Sequence, residues 1–171
     1  MVWWIKGRRF ADPKWLYMRI AQRDPWQGDV VPHAELHFTT QDATAVRLDG
    51  PAMLLSHGCD TVPDQDPVAV MAPVFDVSSF EEEQPDRDAA LKNNQLSGMF
   101  YLPPVEDLPA RYVDFNFACS ISTVRIQQIF ADSDPKLRTR LSMRGWWLFT
   151  GKLAHHLARQ ENPTDYPRSF L

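Results

Sequence analysis

Between Leu54 and Asp60 an apolar pair, Leu54-Leu55, passes straight into Ser56-His57-Gly58-Cys59-Asp60. Serine, histidine, cysteine and aspartate are the residue types of nucleophile, general base and orienting carboxylate. A strand end that breaks into a tight turn at Gly58 would hold such side chains firmly. His57, Cys59 and Asp60 are therefore the candidate catalytic residues. In extended backbone, neighbours point to opposite faces while residues i and i+2 share one, which leaves a His57–Cys59 pair geometrically open. The same residues have a structural reading: Cys59 as a small core hydrophobe, His57 as a hydrogen-bonded partner in the turn, and Asp60 as the Asx residue that closes Asp60-Thr61-Val62-Pro63.

The other cysteine, Cys119, follows sixty residues later at the end of another apparent strand. Two thiols with His57 and Asp60 make a conceivable soft metal site, but no spacing asks for one. His155 and His156 lie about 100° apart on a helix and cannot chelate one ion together. No metal and no cofactor are expected. The chain has no G-x-G-x-x-G or G-x-x-x-x-G-K loop, no H-E-x-x-H, no C-x-x-C pair and no G-x-S-x-G, so nucleotide-loop, zinc-protease, zinc-finger and hydrolase-elbow chemistries have no local support.

A second kind of chemistry is written in the charges. Pro135 to Gln160 holds Lys136, Arg138, Arg140, Arg144, Lys152 and Arg159 with no acid, and the stretch to Asp24 has six basic residues against two acidic ones. Residues 25–134 carry five basic against eighteen acidic residues, a net of -13. Basic ends beside an acidic centre fit either an anionic partner or ends that fold back and neutralise the centre. Arg140, Arg144, Lys152 and Arg159 are expected on one helical face and are the candidate nucleic-acid-binding residues. Six tryptophans, four of them in the doublets Trp3-Trp4 and Trp146-Trp147, could stack on unpaired bases. They could equally pack on each other as a core seam.

The elements that would position these groups follow from periodicity. The run from Val2 through Lys6 reads as a short strand, and the segment from Pro13 through Ile20 as a helix ended by Asp24-Pro25. Gly28–Val31, Ala34–Thr40 and Ala45–Gly50 alternate or cluster strand formers; Ala52–Ser56 and Pro67–Val77 are continuous apolar runs, the second with prolines at positions that interior strands avoid, and both are expected as strands near sheet ends. Ser78 or Ser79 with Glu81 or Glu82 matches a capping box, opening a charged helix or ordered loop to about Leu96. Met99–Leu102 and Ala110–Ala118 read as a strand pair, and Ser122–Phe130 as a short helix. From Leu137 to Ala158 a long amphipathic helix is expected. Met143, Trp146, Trp147, Leu153, Ala154 and Leu157 lie on its apolar side, opposite Arg140, Arg144, Lys152, His155 and Arg159. Many short strands flanked by helices argue for an α+β fold, a small curved antiparallel sheet or an SH3-like barrel with a long C-terminal amphipathic helix. The chain reads as one domain: an N-terminal extension over 1–25, a barrel-like core over 26–134, the helix over 135–160 and an extended tail over 161–171.

The order Gly28-Asp-Val-Val, Gly50-Pro-Ala-Met-Leu-Leu-Ser, Val68-Ala-Val-Met-Ala-Pro-Val resembles the MazF/PemK-like toxin superfamily over roughly residues 26–130. The resemblance implies an SH3-like barrel, prokaryotic RNA cleavage or binding, and a toxin–antitoxin or phage-defence setting. In catalytic members an arginine precedes the proline-led strand and a threonine follows the proline of the third one. Here those positions are Gly50 and Val74 or Phe75, so the groups that handle the RNA phosphate are missing.

The chain has 171 residues, a net charge of -4 and 44% hydrophobic residues, which suits one soluble domain and excludes a disordered or fibrous chain. With no long apolar run, no basic-then-apolar start and too few cysteines for a disulfide framework, a cytoplasmic location without membrane contact is expected. Three functions stay open: a MazF/PemK-like RNA-binding or RNA-cleaving protein; a non-catalytic interaction module whose C-terminal helix binds a protein partner or a second copy; and a cysteine-dependent enzyme centred on Cys59.

Overall fold

Apolar side chains at Val30, Val31, Ala34 and Leu36 and at Ala52, Met53 and Leu54 lay down the longest feature of the molecule, a hairpin of two ten-residue strands. In the computed structural model, which describes residues 13–18, 24–39, 42–62, 67–105 and 108–158, the chain opens with helix α1 (Pro13–Leu16) and strand β1 (Tyr17–Met18). The strand expected from Val2 through Lys6, its tryptophan doublet and the tail after Pro163 lie outside the described residues, as do the side chains of Pro13, Lys14 and Cys59. The hairpin pairs β2 (Val30–Thr39) with β3 (Ala45–Leu54). Its register shifts between Val31 and Ala34, where Pro32 has no N–H to give the ladder. The separate short strands read on either side of Pro32 and of Gly50-Pro51 are thus single strands.

Strand β4 (Val68–Asp76) is central rather than near an edge. Helices α2 (Val77–Glu83) and α3 (Asp88–Lys92) lead to β5 (Met99–Leu102) and β6 (Arg111–Asp114). A 3-10 turn over Phe115–Phe117 then gives way to β7 (Cys119–Ser122). β4 pairs with β3 over Met71–Pro73, with β7 over Val68–Met71 and with β6 over Val74–Asp76. Pro73 sits where β4 leaves β3, so the missing N–H interrupts no long ladder. The capping box expected at Ser78 or Ser79 does not form: both serines lie inside α2, whose N-cap is Asp76 without a side-chain bond.

The strand order β2-β3-β4-β6-β5, with β7 also on β4 and every pairing antiparallel, leaves β2 and β5 as edges. The fold is α+β with an open antiparallel sheet. It is not closed into a barrel. One sheet face is covered by helix α4 (Thr123–Asp132), whose Ile126, Ile129 and Phe130 pack on Val31, Leu36, Leu54 and Met71. Ser122 caps this helix by accepting from the Arg125 amide.

The C-terminal helix is shorter than its periodicity predicts. Residues Arg140–Leu141 form strand β8, paired with β1, and only then does Ser142, accepting from the Gly145 amide, cap helix α5 (Met143–Leu157). The helix is also rotated from the expected face. Phe149 is fully buried against Phe100 and Phe115, with Trp146, Leu148 and Leu153 around it, a burial of about 1.5–3 kcal/mol for the phenylalanine alone. Met143 and Leu157, expected inside, are 66% and 75% exposed. Gly145 sets the rotation: a Cβ there would run into the Leu16 carbonyl oxygen, so only glycine lets α5 seat on α1.

Candidate nucleic-acid interface and the Ser56–Thr61 turn

The Ser56–Thr61 turn is ordered, and its polar groups are occupied in holding it. Ser56 Oγ accepts from the Val70 amide at 2.9 Å, tying the end of β3 to β4. Residues Gly58–Thr61 form a single 3-10 turn, in which the Asp60 amide donates to the His57 carbonyl at 2.9 Å and Asp60 Oδ2 accepts from the His57 amide at 3.2 Å. Thr61 Oγ1 donates to the Gly58 carbonyl, and Gln127 of α4 donates to the Thr61 carbonyl at 2.9 Å. A Cβ at Gly58 would sit 3.2 Å from the Pro25 carbonyl oxygen, so the turn packs close on the segment before β2. His57 is exposed, its ring 6.2 Å from that of Trp26. Cys59 lies within the 3-10 turn, its side chain outside the described residues. The structure brings the three candidate catalytic residues into one turn, where the Asp60 carboxylate closes backward onto the His57 amide. Cys119 is half-buried in β7, and burial pushes its thiol up despite a hydrogen bond from the His37 backbone, which disfavours the reactive thiolate. Among the described residues no three His, Cys, Asp or Glu side chains cluster as a metal site.

Of the four candidate nucleic-acid-binding residues, the three that are described do not share a helical face. Arg140 is not on the helix: it belongs to β8, is 5% exposed, and donates from Nε and Nη2 to both oxygens of Asp29 at 2.7 and 2.6 Å. Nη2 also donates to the Asp24 carbonyl, and the guanidinium lies 5.9 Å over the Trp26 ring. This places Arg140 in a buried pair, because β8 must face inward to meet β1. Burial pushes the Asp29 carboxyl up, while Arg140 and the Trp26 amide pull it back. Lys152 is half-buried and donates to the Asn94 carbonyl; desolvation brings its amine down to about 8. Arg159 lies outside the described residues. Arg144 is exposed, and its guanidinium stacks 4.0 Å over the ring of Trp15.

Around Arg144 the structure adds what periodicity alone did not find. Trp15, Trp26 and Trp147 are 42%, 45% and 65% exposed. Trp147 meets Trp146 edge to face at 5.1 Å, Trp146 Nε1 donates to Gln27, and Gln27 donates on to the Leu55 carbonyl beside the Ser56 turn. Contacts therefore link His57 and Trp26 through the segment before β2 to the start of α5. Trp15 and Trp26 are missed by periodicity because Trp15 lies in a four-residue helix and Trp26 in the irregular segment before β2; only their pairing with Arg144 and Arg140 marks them.

A cleft of about 260 Å³ opens where β3 and β4 diverge, lined by residues of β2, β3, β4 and α2 that include Gly50, Val74 and Phe75 and the acidic residues Asp49 and Asp76. Gly50 and Val74–Phe75, where the resemblance calls for an arginine and a threonine, meet here. Asp49 lies 3.2 Å from His33 and 3.1 Å from Arg47. Two acidic residues and no basic residue line the cleft, whereas a phosphate would need cations. The chain matches no protein-family model, no curated protein and no solved structure. No helix among the described residues is long and apolar enough to cross a membrane.

Proposed function

We propose that the chain binds single-stranded RNA through the exposed aromatic surface around Arg144, as a MazF/PemK-like protein that holds RNA rather than cleaves it. The observation that carries this reading is the Arg144–Trp15 stack beside exposed Trp147. Flat π surfaces next to a cation grip unpaired bases and backbone without reading sequence. Two further observations favour binding over cleavage. The Asp60 carboxylate is engaged by a backbone amide in its own turn, and the cleft that would house the family's phosphate chemistry is lined by Asp49 and Asp76. A toxin–antitoxin or phage-defence setting rests on the resemblance, and an antitoxin gene beside this one would support it.

The test is fluorescence anisotropy with a labelled oligouridine at several salt concentrations, alongside gel analysis of the same RNA. Affinity should fall with salt, the RNA should stay intact, and a Trp147→Ala, Arg144→Glu double variant should lose binding while keeping its fold. Wild-type affinity in that variant would remove this surface from consideration. Cleavage abolished by His57→Ala would instead return the Ser56–Thr61 turn to catalysis.

A further inference from the structure

Arg111 and Arg140 are buried to the same extent, each 5% exposed, but their surroundings differ. Arg140 is neutralised by both oxygens of Asp29. Arg111 begins β6, opposite Leu102 of β5 and Asp76 of β4. Its Nε is fully enclosed and has no hydrogen-bond partner, and none of the ion pairs among the described residues includes it. Its neighbours are the neutral hydroxyl of Tyr17, which donates to the Pro103 carbonyl at 3.0 Å, and the carboxylate of Asp76, an exposed residue. Burial weakens the guanidinium's hold on its proton, but arginine does not deprotonate in proteins, so it cannot escape the cost by becoming neutral. An enclosed guanidinium to which no carboxylate among the described residues is hydrogen-bonded is unfavourable and calls for an anion. The Leu102–Arg111 pair is the last of the β5–β6 ladder, so Arg111 is placed where the two strands part into their connection.

We propose that Arg111 is the anchor of an oxyanion site at the open end of the β5–β6 ladder, taking a carboxylate or phosphate group from solution on its planar fork. The fork offers parallel N–H donors that match two oxygens of either group. The site is separate from the Arg144 surface and does not depend on RNA binding.

The experiment follows the arginine Nε–H resonances of the 15N-labelled full chain during titration with sodium phosphate and, separately, sodium acetate. Ionic strength is held constant with chloride, and the Arg111 signal is assigned by its loss in Arg111→Lys. A saturable shift of that signal with either anion is expected, phosphate or acetate identifying the class. Arg111→Lys, which keeps the charge and loses the fork, should weaken that anion at least about tenfold by calorimetry. The proposal is overturned if neither anion moves the signal. It is equally overturned if the signal ignores both anions but shifts in Glu106→Gln or Asp107→Asn, because the chain would then supply its own counterion.

Discussion

Arg140 and Arg144 are four residues apart and carry the same charge, yet they belong to different parts of the chemistry. Arg140 lies in a two-residue strand, locked onto a fully buried carboxylate and stacked over Trp26. Arg144 lies one helical turn further on, in water, spread over Trp15. A run of basic residues along the chain is therefore not a basic surface. Part of the positive charge of residues 135–160 is held inside, on Asp29, while Arg144, which reaches solvent, lies over an aromatic ring.

The contrast is tested most severely at Arg140. Arg140→Met leaves Asp29 buried and unpaired and should cost about 3–5 kcal/mol in urea unfolding. Adding Asp29→Leu should recover most of that loss, since an apolar pair of similar volume is tolerated where a lone charge is not. A loss below about 1 kcal/mol in the single variant would show that the pair is not sealed from water.

Gly145 separates the two environments and comes next in size. Gly145→Ala forces a methyl against the Leu16 carbonyl and should destabilise by about 1–3 kcal/mol by thermal unfolding, although alanine is the better helix former. A stabilised variant would mean that α5 does not seat on α1 as described.

Lys152 lies between the two cases, its stem packed and its amine on the Asn94 carbonyl. Its amine is held at about 8, below the ordinary 10.5, by desolvation. Below pH 8 both folded and unfolded chains carry the proton, and the burial cost is fully present. Between about 8 and 10.5 the folded chain releases the proton first, so this residue's contribution to stability rises with pH. Lys152→Met should therefore be more stable than the parent at pH 7, by about 1–2 kcal/mol once solvent screening of the half-buried amine is allowed for, with the gap closing by pH 10. A gap that does not change with pH would assign it to packing alone.

The smallest effect on stability belongs to Arg144. Arg144→Glu removes a surface cation–π interaction of no more than about 0.5–1 kcal/mol. Its consequence should appear in RNA binding, where the slope of log affinity against log salt flattens by about 0.7 for each phosphate the side chain had neutralised. An unchanged slope would mean that Arg144 meets no phosphate.

The α+β class, the Ser56–Asp60 turn, the α4 helix and the strand character of 45–54 and 68–76 were all legible in the residues, because periodicity, alternation and turn formers act over a few positions. Beyond that range the reading failed in particular places. Periodicity extended the last helix back over Arg140, since nothing local announces that two residues will pair with Tyr17–Met18. It also faced Met143 and Leu157 inward, because the face of a helix is chosen by its seat, here the glycine contact at Gly145 and the pocket that takes Phe149. The types of His57, Cys59 and Asp60 announced possible chemistry, but only the turn's hydrogen bonds decided that the aspartate closes backbone. Likewise, charge was countable from the chain alone, whereas the partner of each charge was a matter of tertiary contact: Asp29 meets Arg140 across 111 residues, while Arg111 is enclosed with its Nε unpartnered. Local propensities are short-range and survive in the sequence; the sign and exposure of a site depend on contacts between segments far apart in the chain, and those exist only once it has folded.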